Sequence, residues 1–352
     1  MDRLTAQIYD DRAVDWERRR RPDDVDAARL FRTKIRSGGA RVDLGCGPGF
    51  HVGELGAPVV ALDIAPRMLS LTRMRAPHAL VVCADLEALP FRVGALSAAW
   101  AAKSYLHVPS TALPLALAQL HRALEVGAPI ALRMRSGHDE GRLASADFPG
   151  RFFAEWDPGR LSDVVVGAGF EVDRLAAKDR WIDVEATRIR SLPDTVGSGL
   201  RLIVSGLNPS EFAADRGIGF ARPGNRFWPA ARAAGLVGDV RDAEAALRRG
   251  VGMTDLVKRA TPRADMLTRE EYADGLARLE RLVRWLEPGA LCFVGLAGWR
   301  AVVDRRAVAG PVPGGFGGRP AYLMPSTSGV NASTSLDALT EHLRAAGMLA
   351  VT

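Results

Sequence analysis

Hydrophobic residues along the chain form short uninterrupted runs, separated by longer stretches with the spacing of amphipathic helices. Such short runs are typical of buried strands. In the first half of the chain they occur at 41–45, 58–64, 79–86, 95–104 and 128–135. The intervening segment 112–127 has helical spacing and ends at Gly127, a common residue at helix ends. Strands that alternate with helices usually form a parallel sheet, so this half predicts a doubly wound α/β domain.

The alternation stops within residues 168–190 and resumes after residues 191–199, which are rich in Pro, Gly, Ser and Asp. Such a composition is typical of a turn or linker. The second series contains predicted strands at 200–206, 290–298 and 319–326 and predicted helices at 275–290 and 335–347. We therefore expect two α/β domains, at 1–190 and 200–352, joined by a linker at 191–199.

Composition narrows the class of protein. Hydrophobic residues make up 47% and charged residues 25% of the chain, which is ordinary for folded domains and excludes a mainly disordered or collagen-like chain. No run approaches a length of about 18 consecutive apolar residues, which a membrane-spanning helix requires. The charged residues 1–22 lack the apolar core of a secretory signal. We expect a cytoplasmic protein, nucleoid-associated if bacterial, with no membrane partner.

Cysteine usage and charge bear on possible ligands. Cys46, Cys83 and Cys292 lie far apart, without the compact spacing of a zinc or iron–sulfur site, so we expect no bound metal. The net charge of +6 is uneven, because residues 1–197 carry 27 Lys and Arg against 26 Asp and Glu, whereas 198–352 carry 20 against 15. A basic second half is compatible with a nucleic-acid partner, although an arginine-rich composition explains the excess equally well.

A glycine-rich turn, DLGCGPG at residues 43–49, follows the first predicted strand. Glycines at such a turn let the backbone approach a ligand and let the next helix pack closely on the sheet. The second strand ends at Asp63, where a carboxylate can accept hydrogen bonds from ribose hydroxyls. The third strand ends at Asp85 and Leu86. This pattern is typical of a nucleotide-type cofactor site.

In this order the three segments resemble the class I S-adenosylmethionine-dependent methyltransferases, over residues 25–180. The glycine spacing GxGxG favours S-adenosylmethionine over a nicotinamide dinucleotide. The resemblance implies a Rossmann-like methyltransferase sheet with S-adenosylmethionine as its cofactor. The cofactor-binding residues that it implies are Asp43, Gly45, Gly47 and Gly49 at the methionine portion, Asp63 at the ribose with Ile64 beside it, and Asp85 with Leu86 at adenine.

The same resemblance places an aromatic and His-containing segment after the fourth strand. Here that segment contains Lys103, Tyr105 and His107, which would border the acceptor pocket. The methyl acceptor is unknown. The chain lacks the Asn/Asp-Pro-Pro-Tyr/Phe motif of amino-methylating DNA enzymes and the Pro-Cys nucleophile of cytosine-5 enzymes, so DNA methylation is not the default expectation.

Four segments of the second half lie at or near the ends of predicted strands, where α/β sheets bind ligands. They read GLNPS at 206–210, GIGFARPGNRFW at 217–228, GMTDLVKRAT at 252–261 and MPSTSGVNAS at 324–333. Each alone is a weak signal, because Pro-rich turns are common and Asn often caps a turn. In this order and spacing they closely resemble the mismatch-specific uracil/thymine DNA glycosylases, over nearly all of residues 200–347.

This second resemblance implies an α/β domain of the uracil-DNA glycosylase type, which acts on double-stranded DNA with a mismatched or damaged base. Asn208 is then the catalytic residue that positions the attacking water, and Phe220 stacks on the extruded base. The stretch 225–228 supports the pocket, and the loop after the last strand enters the DNA. The base-binding and DNA-binding residues that it implies are Gly206, Leu207, Phe220, Asn225, Ser326, Ser328, Gly329, Val330 and Asn331.

The chemistry of base excision suits an asparagine at position 208. A glycosylase extrudes its base, holds it in a pocket and expels it as a leaving group. An asparagine amide orients water through hydrogen bonds but cannot act as a general base. This suffices when the N-glycosidic bond largely breaks before water attacks, while backbone N–H groups of the turn stabilise the departing anion. We expect slower, more leaving-group-dependent hydrolysis than with an aspartate.

Two features depart from the pattern of known glycosylases. In bacterial relatives the DNA-entering loop ends in Leu and then Arg, whereas Gly329 is here followed by Val330, Asn331 and Ala332. A shorter and uncharged wedge predicts weaker strand insertion and an altered mismatch preference. The lack of clustered cysteines separates the chain from the iron–sulfur uracil glycosylases. We expect Trp228 and Trp299 to lie in the core.

The preferred interpretation is a fusion of two enzymes. A methyltransferase of unknown acceptor precedes a glycosylase that hydrolyses the N-glycosidic bond of uracil or related bases in G·U or G·T mismatches and needs no cofactor. Two alternatives stay open. The chain is alternatively a methyltransferase that its second domain delivers to nucleic acid, or a damaged-DNA binder without catalytic activity.

Overall fold

The structure is a computed structural model that describes residues 1–36, 38–144 and 147–350. This part of the chain divides into two compact units. Residues 1–166 and 170–189 form the first unit, and residues 167–169 with those from 190 onward form the second. Each unit has its own sheet, so each is described by itself. The domain limits that the sequence predicts stay a prediction.

The first unit contains the five strands predicted in the first half, in their predicted order, and four further strands follow them among the described residues. Its described helices are α1 (Arg3–Asp11), α2 (Ala13–Arg19), α3 (Val25–Arg32), α4 (Val52–Leu55), α5 (Pro66–Arg75), α6 (Leu113–Ala123) and α7 (Pro158–Gly167). Its strands are β1 (Ala40–Leu44), β2 (Val59–Asp63), β3 (Leu80–Cys83), β4 (Leu96–Ala102), β5 (Pro129–Ser136), β6 (Glu140–Arg142), β7 (Phe152–Trp156), β8 (Phe170–Lys178) and β9 (Trp181–Arg188).

The sheet of the first unit is parallel from β3 to β7. Its strand order is β3-β2-β1-β4-β5-β7-β6, and β9 pairs antiparallel with both β5 and β8. The Rossmann-like α/β fold that the sequence predicts is confirmed. The antiparallel hairpin of β8 and β9 occupies the region in which the strand–helix alternation of the sequence stops, because a hairpin needs no crossover helix.

The second unit repeats the strand–helix alternation around a smaller sheet. Its described helices are α8 (Glu211–Arg216), α9 (Phe227–Ala233), α10 (Ala243–Leu247), α11 (Arg269–Leu286), α12 (Ala297–Val302) and α13 (Leu336–Met348). Its strands are β10 (Leu202–Gly206), β11 (Val251–Asp255), β12 (Ala290–Val294), β13 (Gly310–Pro311) and β14 (Ala321–Met324).

The five strands of the second unit have the order β11-β10-β12-β14-β13, and only the pairing of β13 with β14 is antiparallel. Alternate residues of a strand point to opposite faces. Accordingly Leu202 and Val204 pack with Trp228 in one core cluster, whereas Ile203 packs with Trp299 in the other. The prediction that both tryptophans lie in the core is confirmed.

Two element limits differ from the sequence prediction for local reasons. The helix predicted from 275 begins at Arg269, because Thr268 and Glu271 form a reciprocal capping box at its start. The strand predicted to reach 298 ends at Val294, because Gly295 has a φ of +102° that turns the chain. Among the residues described, no helix has both the length and the apolar character needed to cross a membrane.

A buried ionic cluster lies within the second unit. The Asp194 carboxylate accepts hydrogen bonds from Thr254 Oγ1 at 2.6 Å, Lys258 Nζ at 2.8 Å and Arg278 Nη1 at 2.7 Å. All four residues are buried. Burial alone would raise the pKa of Asp194, but the Arg278 and Lys258 cations hold it below its ordinary value. The cluster therefore depends on the negative charge of Asp194.

We expect Asp194→Asn to lower the free energy of unfolding of the second unit by about 3–5 kcal/mol, because two cations would stay buried without their anion. Hydrogen exchange in peptides that cover β10 and β11 measures this loss as faster exchange. The control is Asp239→Asn, since Asp239 is 90% exposed and pairs with Arg232 at 3.4 Å, a surface pair of about 0–1 kcal/mol. Equal exchange in both variants would contradict the prediction.

The same cluster has a defined pH dependence. Because the pKa of Asp194 is lower in the folded than in the unfolded chain, its contribution is present at neutral pH. It is lost as the pH falls below the ordinary value of 3.8. The difference between wild type and Asp194→Asn should therefore shrink in acid.

Candidate functional sites

At Gly45, the glycine turn after β1 lies close to the segment that follows β4, whereas the space beside Gly47 is open. A Cβ on Gly45, whose φ is +68°, would lie 2.4 Å from Ser104 Cβ, which real structures do not tolerate. A Cβ on Gly47, whose φ is +52°, would meet no atom within 4 Å. Gly45 is thus required for packing, whereas the absence of a side chain at Gly47 leaves open space where a ligand would lie.

Asp63 at the end of β2 fixes the conformation of this turn. Its carboxylate accepts hydrogen bonds from the N–H of Gly47 at 2.8 Å and the N–H of Ala65 at 2.9 Å. Burial nevertheless raises the pKa of Asp63 above its ordinary value. The side chain therefore links β2 to the glycine turn as well as facing the cavity.

Asp43 near the end of β1 is a buried carboxyl group that lacks a complete set of partners. Its Oδ2 atom has no hydrogen-bond partner in the part of the chain that the structure describes. Burial raises the pKa of Asp43 to about 7, with nearby Asp63 adding to the shift and His51 opposing it. Such a group favours a proton or a cationic ligand beside it.

A cavity of about 700 Å³ opens beside the turn. Five of the eight residues predicted to bind the cofactor line this cavity, namely Gly45, Gly47, Asp63, Ile64 and Leu86. Asp43, Gly49 and Asp85 do not line it. The Asp85 carboxylate instead accepts the N–H of Glu87 at 3.0 Å and lies 3.0 Å from the Met1 amine.

The predicted acceptor segment contributes to the same cavity. Lys103 and His107 line it, whereas the side chain of Tyr105 is buried and its hydroxyl lacks a hydrogen-bond partner among the described residues. Burial raises the pKa of Tyr105. Aromatic rings from outside the predicted segments also line the cavity. The centroid of the Trp181 ring lies 5.0 Å from Lys103 Nζ.

A hydrogen-bonded chain that sequence reasoning missed lies in this cavity wall. His107 Nδ1 donates to the Phe152 carbonyl at 2.7 Å, and Nε2 accepts from the Tyr9 hydroxyl at 2.9 Å. Arg151 Nη1 donates in turn to the Tyr9 oxygen at 2.9 Å. Burial, together with the Arg151 cation, lowers the pKa of His107 to about 4, so the imidazole is neutral at physiological pH.

In the second unit, the turn after β10 is bound along its length to the segment after β11. Backbone N–H groups within 256–261 donate to carbonyls within 206–209 in three hydrogen bonds of 2.9–3.2 Å. Because β10 and β11 are parallel, both segments start at the same edge of the sheet. The turn that carries Asn208 is therefore supported by its neighbour and does not stand alone.

The Asn208 side chain is anchored by its amide nitrogen. Nδ2 donates to Thr261 Oγ1 at 2.7 Å, to the Arg259 carbonyl at 3.1 Å and to the Pro209 carbonyl at 3.2 Å. Its Oδ1 atom accepts no hydrogen bond from the described part of the chain and is not fully buried. The amide is thereby oriented with an acceptor directed away from its anchors.

Phe220 lies next to this turn in a strained conformation. Its φ of +56° is unusual for a residue that is not glycine and costs about 1–3 kcal/mol. The ring stacks on Phe227 with the centroids 4.1 Å apart and the planes 22° apart. An added Cβ on Gly206 would lie 3.4 Å from Phe220 Cζ, so the predicted stacking ring and the predicted turn meet.

Asp255 joins these residues, although sequence reasoning did not select it. It ends β11 opposite Gly206, and an added Cβ on Gly206 would lie only 2.3 Å from Asp255 Oδ1. Burial raises the pKa of Asp255 to about 6, which Lys258 and Arg278 oppose. The available signal was its place as the last residue of a strand, which Asp63 shares.

The predicted DNA-entering loop is held by Arg226. Its guanidinium donates to the carbonyls of Thr334 at 2.5 Å, of Ser328 at 3.5 Å and of Asn331. Val330, 87% exposed, projects from this loop. Arg226 belongs to the stretch 225–228, which the sequence predicts to support the pocket. Its hydrogen bonds hold the loop after β14 in place.

Several predicted base-binding or DNA-binding residues have structural contacts. The Asn225 Oδ1 atom accepts the N–H of Phe227 at 2.9 Å, and Leu207 packs against the core cluster of Trp299. Asn331 Nδ2 donates to the Ser326 carbonyl at 2.7 Å within its own loop. The hydroxyls of Ser326 and Ser328 also accept hydrogen bonds from N–H groups of this loop, and Gly329 packs against Gly224.

Among the residues described, no cluster of His, Cys, Asp and Glu suits a metal ion.

Several solved structures of methyltransferases resemble part of this chain. An S-adenosylmethionine-dependent methyltransferase from Methanosarcina mazei is 17% identical with a TM-score of 0.41, over 46% of this chain and 97% of its own. One from Mesorhizobium loti is 17% identical with a TM-score of 0.40, over 47% and 97%. The CcbJ methyltransferase from Streptomyces caelestis is 18% identical with a TM-score of 0.43, over 54% and 100%.

Family models match both halves of the chain. Residues 42–127 match a methyltransferase domain, and residues 193–346 match the uracil DNA glycosylase superfamily. The resemblances that the sequence carries are confirmed at this level, which does not specify the mismatch-specific subfamily. The chain therefore joins a methyltransferase domain to a domain of the uracil DNA glycosylase superfamily.

Proposed function

We propose that the second unit hydrolyses the N-glycosidic bond of uracil or a related base in a G·U or G·T mismatch of double-stranded DNA, with Asn208 as its catalytic residue. The orientation of Asn208 carries this proposal. Its nitrogen is occupied by three acceptors, so Oδ1 is held in place to accept a hydrogen bond from a water molecule. A positioned water is what this chemistry needs when the bond breaks before the attack.

The surroundings of Asn208 suit an extruded base. Phe220 is held in its strained conformation against Phe227, which supports a flat ring that stacks on the base. The exposed Val330 projects from a loop that Arg226 braces, which suits an apolar wedge that fills the space left by the base. The basic second half adds attraction to DNA phosphates.

We further propose that the first unit binds S-adenosylmethionine and methylates an acceptor that is still to be identified. When bound, this cofactor supplies an electrophilic methyl group. The open space beside Gly47, at the edge of the cavity, leaves room for its methionine portion. Asp63, at the cavity edge, suits the ribose, and neutral His107 lies where an acceptor would bind.

The central test is Asn208→Ala. We expect base release to fall by about 100- to 10,000-fold, the range of positioned catalytic groups, while DNA affinity stays close to that of wild type. The assay follows alkali-labile sites in a duplex with one U·G pair under single-turnover conditions. We expect Asn208→Asp to keep partial activity with an altered pH dependence, because a carboxylate activates water but repels the departing anion.

The outcome of this assay separates the alternatives. Tight binding of the mismatched duplex without base release by the wild-type protein would favour a damaged-DNA binder. Methylation without base release would favour a methyltransferase that the second unit delivers to nucleic acid. Wild-type base release by Asn208→Ala would show that the water is held elsewhere.

Thr261 provides a test of how Asn208 is oriented. Thr261→Val keeps the shape of the side chain but removes the hydroxyl that accepts from Asn208 Nδ2 at 2.7 Å. We expect the single-turnover rate to fall by about 5- to 10-fold, the equivalent of one hydrogen bond of about 1 kcal/mol. Thr261→Ser restores the hydroxyl and should restore most of the rate. An equal loss in both variants would indicate a packing defect instead.

For the first unit, we expect S-adenosylmethionine to raise the melting temperature of the protein, since a ligand of the folded state stabilises it by mass action. Asp63→Ala should remove most of this shift, because the glycine turn loses its carboxylate acceptor and the ribose loses its partner. Asp26→Ala is the control, since the Asp26 side chain is 97% exposed. A calorimetric titration without binding to wild-type protein would refute cofactor binding.

A further inference from the structure

The Asp255 carboxyl lies beside Gly206, the residue that ends β10 before the turn of Asn208. Its Oδ1 atom lies 2.3 Å from where a Cβ on Gly206 would be, so the absence of a side chain at Gly206 makes room for it. The same point lies 3.4 Å from Phe220 Cζ. The Asp255 carboxyl and the tip of the Phe220 ring thus both lie beside Gly206, at the start of the turn that carries Asn208.

The charged groups packed around Asp255 do not satisfy its carboxyl. Lys258 and Arg278 direct their donors to the Asp194 carboxylate, and Arg278 Nη2 donates to the main-chain carbonyl of Asp255 at 3.1 Å. The Asp255 carboxyl accepts no hydrogen bond from the residues that the structure describes. Burial and nearby Asp194 raise the pKa of Asp255 to about 6, while Lys258 and Arg278 oppose the shift.

We propose that the protonated carboxyl of Asp255 donates a hydrogen bond to a carbonyl oxygen of the extruded base and stabilises the negative charge that develops there. This inference rests on the glycosylase function proposed above. As the C–N bond breaks, its electron pair passes to the base, whose carbonyl oxygens share the charge. Water adds its hydroxyl to the sugar carbon and releases its proton to solvent, and Asp255 keeps its own proton throughout.

Two consequences follow from this role. Ionised Asp255 places a negative charge beside a departing anion, so excision slows as the pH rises past the pKa of Asp255. The dependence on Asp255 is also greatest for poor leaving groups, because a base that stabilises its own anion needs less help. Uracil should therefore depend on Asp255 more strongly than 5-fluorouracil does.

The test measures single-turnover excision by the full-length protein from duplexes with U·G or 5-fluorouracil·G pairs between pH 5 and pH 9. The variant is Asp255→Asn, a neutral donor at every pH, and the control is Asp274→Asn, an exposed acid of α11. We expect wild type and control to lose activity by up to about tenfold per pH unit above about pH 6. Asp255→Asn should have a flat profile and exceed wild type at pH 8 by about 10- to 100-fold on uracil, and by less on 5-fluorouracil.

The pH profiles of excision decide whether Asp255 has this role. Excision by Asp255→Asn with the wild-type pH profile would overturn this role and leave the glycosylase function intact. The absence of excision by wild-type protein at every pH would overturn both. Carboxyl ¹³C NMR tests the same inference without an excision assay. The wild-type protein should show a carboxyl resonance that titrates near pH 6, and this resonance should be absent in Asp255→Asn. Titration of that carboxyl near pH 4 would also overturn the inference.

Discussion

Parallel pairing between neighbouring strands is the constraint on which both candidate sites depend. In a parallel pair the carboxyl ends lie at one edge of the sheet, so the segments that follow adjacent strands begin side by side. The register of β10 and β11 sets Gly206 opposite Asp255. The register of β1 and β2 sets Leu44 opposite Leu62, and the next residues form the contact between the glycine turn and Asp63. In each unit, short segments that directly follow adjacent strands are therefore enough to bring these residues together.

Three carboxyl groups show how surroundings select a protonation state. Asp194 accepts hydrogen bonds from two cations and a hydroxyl, so its pKa is low and its charge stabilises the second unit. Asp43 is buried and Asp255 is half-buried, each at or near a strand end without comparable partners, and their pKa values are raised to about 7 and about 6. Desolvation that no partner compensates is typical of functional sites, whereas compensated burial is typical of structural ones.

The two proposed reactions make different demands on their loops. In the second unit, the turn proposed to position water and the loop proposed to enter DNA are each held by side-chain donors. Asn208 Nδ2 donates to Thr261, and the Arg226 guanidinium donates to three carbonyls. Such fixation suits chemistry that depends on holding a water and a base in register. In the first unit, the hydrogen bond between His107 and Tyr9 orients the imidazole in the cavity wall, and burial keeps it neutral.

The sequence by itself determined the order of the main strands and helices, because apolar runs and turn glycines are local signals, and its resemblance to two known families supplied the candidates Asp43, Asp63 and Asn208. It did not indicate the antiparallel hairpin of β8 and β9. Only the tertiary structure decided that Asp255 faces the turn of Asn208 and that Arg226 bonds to Thr334, 108 residues away. Desolvation and hydrogen bonding depend on which atoms meet after packing, and no local pattern of residues carries that information.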